Sequence, residues 1–347
     1  MRTEIGYGEI ENILEQILGS PVNFEEIVNE LMGSGNVFSI TKGTGVFVDV
    51  LLGQLKNHGQ TIASLLLLLI SAAVLSNIAA AFRNRQISDM GFYMIYLLLS
   101  LIMMRSFGVC YRLTENVIND LIDFMKVLMP AYLMAAAVSA YQTSAVVYYE
   151  GFLLLVYYLQ KIVILVILPA IRCYVLFTML GHLGQGDFFS RGRDGLKKAI
   201  LFSFKAMIGV TAGLQMIQGM ISPAIDEMKQ TVVSRGISSL GGLGNIAQNV
   251  TDMVLGSGAL LKNGIGVAAA VMIMTICLLP VLEVGCYVVF YHALAAVAEP
   301  ISEKKMINAI GDMGEGLGLL SKLLFTVGAI FLLTIAIVCV TTGGIMG

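Results

Sequence analysis

The sequence predicts an all-α polytopic membrane protein with about 6–8 membrane segments and amphipathic interfacial helices beside them. Three observations carry that reading. Of the 347 residues, 57% are hydrophobic and 13% charged, roughly half the charged share of an ordinary soluble domain. Apolar runs of roughly 20 residues, the length that crosses a bilayer core, recur along the chain after residue 60. Lys and Arg gather at the ends of those runs, as they do on the cytoplasmic side of membrane proteins.

The same composition excludes several function classes. A net charge of -2 and a pI near 6.0 give no footing for nucleic acid. The five cysteines form no C-x-x-C pair and sit mostly in apolar runs, which reads as small buried hydrophobes rather than as metal ligands or disulfides. His58, His182 and His292 are scattered. The stretch "GGLG" lacks the Lys-Ser/Thr of a phosphate loop, and no nucleophile is paired with a base. The expectation is a protein that is not an enzyme and uses no cofactor and no metal.

Residues 1–59 are acidic and amphipathic and read as an extramembrane helical region. Ile10, Ile13, Leu14, Ile17 and Leu18 recur at helical spacing. In "SPVNFEEIVNELMGSG", Asn23 is placed to cap a second helix that Gly33 ends. A third amphipathic stretch surrounds Val46, Phe47, Val50, Leu51 and Leu55. The opening residues show neither the basic start nor the apolar core of a signal peptide. The multispanning part covers 60–347. Its expected spans are 61–82, 90–109, 121–140 with Pro130 inside, a long run over 148–183, 199–221, a second long run over 264–298, and 319–340.

Orientation follows from the basic loops. Arg83 and Arg85 place the end of the first span in the cytoplasm and residues 1–59 outside. The loop with Arg191, Arg193, Lys197 and Lys198 also belongs inside. If 148–183 crosses once, that loop lands outside. A hairpin that turns near Pro169 returns it inside, so the run reads as broken or re-entrant at Pro169, and its counterpart as broken or re-entrant at Pro280.

That counterpart is the other half of a possible internal repeat, 148–221 and 264–341. "VILPAIRCYVLF" resembles "LLPVLEVGCYVVF". Each carries Leu-Pro in mid-run and a charge three residues later, Arg172 in one and Glu283 in the other. A charge at the bilayer centre is costly and turns toward protein or water. Two readings stay open: Arg172 and Glu283 pair to lock the two halves together, or they line a polar path. Lys161 and Lys262 have stems long enough to reach the interface. "SEKKMINAIGDMGEGLGLL" reads as an interfacial helix with Met306, Ile310, Met313 and Leu317 in one seam, open to partners, and with Gly314 and Gly318 spaced for close helix contact.

"LIDFMKVLMPAYLMAAAVSA", "IVILVILPAIRCYVLF" and the stretch from Gly258 to Ser302 together resemble the stage III sporulation protein AE family over nearly the whole chain. The most specific residues are Phe124-Met125 with Leu128 and Pro130, Leu261-Lys262-Asn263 with Gly266-Val267, and Ala298-Glu299-Pro300. Two departures stand: the family's signal-like start is absent, and "SAYQTSA" replaces a glycine-rich stretch. The resemblance implies a multi-pass component of a secretion-like channel complex that joins mother cell and forespore. It implies partners in the same complex, including ring-forming proteins and a cytoplasmic ATPase, with the lipid bilayer or a second copy of the chain as further contacts. It implies the mother-cell membrane around the forespore as location. The competing classes are a self-sufficient secondary transporter and a non-conducting scaffold for ring proteins.

Overall fold

The computed structural model describes residues 7–18, 23–28, 85–139, 156–183, 191–213, 244–300 and 304–342. The expected span at 61–82, the amphipathic stretch around 46–55 and the first part of the connector, 222–243, lie outside the described residues. Among the described residues all regular structure is helical. The elements are α1 (Tyr7–Leu18), α2 (Arg85–Ser139), α3 (Leu168–Leu183, entered through a π-turn at Val163–Ile167), α4 (191–213), α5 (Gly244–Ala298) and α6 (Lys304–Thr342). Four helices are long and apolar enough to cross a membrane: Tyr93–Tyr132, Val156–His182, Gly264–Ala298 and Lys304–Ala336.

Three of the expected breaks are absent. The segments read as separate spans at 90–109 and 121–140 are one helix, α2, of 55 residues, about 80 Å long. The polar stretch between them, "CYRLTENVIND", contains no glycine or proline, and Thr114 folds its hydroxyl back onto the Cys110 carbonyl at 2.8 Å. Polarity without a breaker does not end a helix. The polar segment from Gly244 also runs straight into the apolar run of α5, through Gly256 and Gly258, and the expected interfacial helix after residue 303 is the first third of α6, glycines included.

The proline turns are also absent. Pro280 lies inside α5 and Pro130 inside α2. Pro169 is the second residue of α3, and the helix before it widens into the π-turn, where the Leu168 N–H bonds to the Val163 carbonyl. A proline lacks the N–H and presses on the carbonyl four residues back. The wider turn relieves that crowding one turn upstream and lets the chain continue without reversing.

These continuities remove the conflict over the basic loop. With α2 crossing once and 156–183 crossing once, residues 191–198 return to the end at which α2 begins. Specific contacts confirm the common end. The Tyr96 hydroxyl near the start of α2 donates to the Met179 carbonyl near the end of α3 at 2.7 Å. His182 and Arg193 both meet Asp312 near the start of α6. Gly314 of α6 lies against the His292 ring near the end of α5. Five helix ends therefore share one level, and α3 and α5 run antiparallel to α2 and α6.

α6 is the central helix. In its most apolar window 61% of residues are buried, against 39–44% in the other three spans. Met306, Ile310, Met313 and Leu317 are all inside, so the seam expected to be open to partners is filled by the chain itself. α1 is seated against α2, with Ile10 and Leu14 fully buried. Glycines set how closely α6 approaches. A Cβ at Gly316 would collide with the Val175 side chain, and one at Gly328 would stand 2.9 Å from the Cys277 sulfur. At Gly314 the nearest atom, on the His292 ring, would be 3.2 Å away; at Gly318 nothing lies within 4 Å.

Candidate functional site at the basic end of the bundle

Where α3, α4 and α6 meet, two carboxylates collect four partners. Asp312 Oδ2 lies 2.8 Å from His182 Nε2 and accepts from Arg193 Nη1 at 3.1 Å. Glu315 Oε2 accepts from the Tyr174 hydroxyl at 3.2 Å and from the Lys197 ammonium. Asp312 and Glu315 are one short turn apart on α6, so both reach the same neighbours. Arg193 also contacts Asp194 at 3.3 Å. Its burial opposes the charge, yet Asp312 and Asp194 outweigh that and hold the guanidinium above its ordinary range. The network ties three helices by charge at the mouth of an apolar bundle. Asp312 and Glu315 had not stood out as site residues; their partners are 118 to 141 positions away in the chain.

The residues singled out in the sequence are dispersed. Arg172 stands over the Tyr111 ring of α2, 5.8 Å from its centre. Glu283, half-buried on α5, is near Cys110, Cys286 and Tyr287. Both charges therefore face the middle of α2, at adjoining residues. Lys161 is exposed, with its ammonium 5.6 Å from the centre of the Tyr157 ring. Pro169 and Pro280 are half-buried within continuous helix, and Glu299 and Pro300 form the exposed turn after α5. Lys262 and Asn263 lie in α5, about ten turns before its end. Among the described residues no group of three or more His, Cys, Asp or Glu is placed to hold a metal.

The outward face of α2 changes character along its length. Met90, Met94, Leu97, Leu98 and Leu101 are exposed, a stripe suited to lipid. Four turns on, the exposed positions are Arg112, Asn116, Asn119, Asp123 and Lys126. The helix opposite does not change in this way. Beyond the Arg172–Tyr111 crossing, its exposed residues are Val166, Leu165, Ile162, Tyr158 and Tyr157, with Lys161 the one charge among them. α5, antiparallel to α2 through Tyr287 and Tyr291 beside Cys110 and Ser106, likewise exposes Leu278, Leu279 and Met274. At one depth of the bundle, then, α5 and the helix leading into α3 show lipid-like surface and α2 shows a polar one.

The stage III sporulation protein AE of Bacillus subtilis (strain 168) is 20% identical over 318 residues, which cover 91% of this chain and 79% of that protein. No solved structure matches the chain. The family described as stage III sporulation protein AE matches residues 22–342, all four apolar helices and the charged network between them included. The chain belongs to the stage III sporulation protein AE family.

Proposed function

We propose that this protein is a membrane-embedded component of the channel complex that connects mother cell and forespore during endospore development. The observation that carries the reading is the family match across residues 22–342. It works without catalysis of its own, in the mother-cell membrane around the forespore, and its partners are the ring-forming proteins and the cytoplasmic ATPase of that complex. The polar stripe Arg112–Lys126 on α2 supports a water-facing side, because a row of polar groups at the depth of lipid-facing neighbours is stable only against water or protein.

The basic end, with Arg191, Arg193, Lys197, Lys198, Lys304 and Lys305, faces the cytoplasm in this reading. Membrane segments beyond the four described helices come from the apolar runs at 61–82 and 199–221, and the first of these puts residues 1–59 between the two membranes. Deletion of the gene should block sporulation after engulfment, and the full chain supplied in trans should restore heat-resistant spores. Normal spore yield in the deletion strain would overturn the role. Orientation is tested by Gly192→Cys in a background without other accessible cysteines. An impermeant maleimide added outside intact cells should leave it unlabelled; labelling would reverse the topology.

A further inference from the structure

Lys126, Lys161 and Arg172 each have a carboxylate or ring beside them. Among the described residues Lys205 of α4 and Lys322 of α6 have neither. They line one groove of about 400 Å³ together with Leu201, Phe204, Val281 and Phe325. Ser321 and Thr326 complete the wall, and the Thr326 hydroxyl is turned to the Lys322 carbonyl at 2.8 Å. Among the described residues neither lysine is in an ion pair, whereas Arg193 and Lys197, two turns nearer the basic end, are both paired to α6. The groove is open to the outside, and Phe325 at its edge is 68% exposed.

The position is what matters. Lys322 is seven residues beyond Glu315, about 10 Å further from the basic end. If the Asp312–Glu315 network sits at headgroup level, both lysines are rooted in the outer part of the hydrocarbon and their stems reach back toward the phosphates. A lone ammonium at that depth is disfavoured, and two in one groove also repel each other. An anion with an apolar tail satisfies both features of the groove at once.

We propose that the α4–α6 groove binds an anionic phospholipid, with Lys205 and Lys322 on the headgroup phosphate and Leu201, Phe204, Val281 and Phe325 along an acyl chain. The site does not depend on the sporulation role. Two lysines at a membrane surface favour an anionic over a neutral headgroup by about fivefold each and about thirtyfold together.

The full-length protein, purified in detergent, should retain phosphatidylglycerol over phosphatidylcholine when both are offered and the complexes are counted by native mass spectrometry. Lys205→Gln with Lys322→Gln should lose that preference, about thirtyfold. Lys205→Arg with Lys322→Arg should keep it, which controls for folding. Lys198→Gln, an exposed change on the same helix outside the groove, should leave it intact. Glycerol phosphate, which has the anion without the chains, should not compete. Equal retention of the two lipids by the native protein, an unchanged preference in the double glutamine variant, an equal loss with Lys198→Gln, or full competition by glycerol phosphate would each overturn the assignment.

Discussion

α6 and α2 carry charge through the same apolar bundle in opposite ways. On α6 the carboxylates Asp312 and Glu315 are turned inward and are met by His182, Arg193, Tyr174 and Lys197. On α2 Arg112, Asn116, Asn119, Asp123 and Lys126 are turned outward, and the one ion pair among them, Asp123–Lys126 at 2.7 Å, is local and well exposed. The inward charges join helices distant in sequence. The outward ones join nothing in the fold, and a surface pair of that kind adds about 0–1 kcal/mol. Charge on α6 is therefore structural, while charge on α2 sets what surrounds the bundle. The comparison also warns against treating every polar position in an apolar run as one kind of site.

The largest expected effect tests the inward half. Asp312→Ala strips His182 and Arg193 of their shared partner in a partly buried place, and should cost about 3 kcal/mol of stability, seen as early thermal unfolding in detergent. A loss no greater than that of Asp123→Ala would erase the contrast between the two helices. Next, Gly316→Ala drives a methyl into Val175 and should cost about 2 kcal/mol by the same measurement. Gly318→Ala, which meets nothing within 4 Å, should be neutral or slightly stabilising. The reverse ranking would mean that α3 does not press on α6 at that level.

Arg172→Gln removes a cation from the Tyr111 face and should cost about 1 kcal/mol. Its loss should overlap with that of Tyr111→Leu and add to that of Glu283→Gln in a double-mutant cycle. Overlap with Glu283→Gln instead would favour a direct link between the two charges. The smallest stability effect is expected on the outward half. Asn116→Leu with Asn119→Leu should change the unfolding temperature little, since surface changes away from special features stay within about 0.5 kcal/mol. Spore formation should nevertheless fall sharply. Normal sporulation in that variant would show that the polar stripe serves no water-facing path.

Membrane class, helical content and family were legible in the chain because apolar run length and local composition carry them. Continuity was not. "YRLTENVIND" reads as a gap between two spans and "GDMGEGLG" as part of a separate interfacial helix, because the length of an apolar run marks where lipid begins and not where a helix ends. A helix ends where its backbone loses partners, and polar side chains alone do not cause that. Pro169 misled in the opposite sense, because the π-turn that absorbs it leaves no mark in residue type. Arg172 and Glu283 were conspicuous by their apolar surroundings, whereas Asp312 and Glu315 sat in a stretch already polar. The helix-contact glycines show the same limit. Spacing favoured Gly314 with Gly318; Gly314 is a close approach and Gly318 is not, and the tightest approaches are at Gly316 and Gly328, where the neighbours Val175 and Cys277 come from other helices.

The close approaches at Gly314 and Gly328 both belong to the α5–α6 pair, against His292 and Cys277. They are 14 residues apart on α6, about 21 Å along its axis. A rod touched tightly at one point can still pivot about it. A rod touched tightly at two points can neither pivot nor slide without forcing backbone into a side chain. α5 and α6 therefore form a stiff beam through the centre of the molecule, pinned at both contacts. Any relative motion of the helices leaves that beam intact and is taken up at the seam of α2, which rests on the Tyr96 hydrogen bond to Met179 and the Arg172–Tyr111 contact.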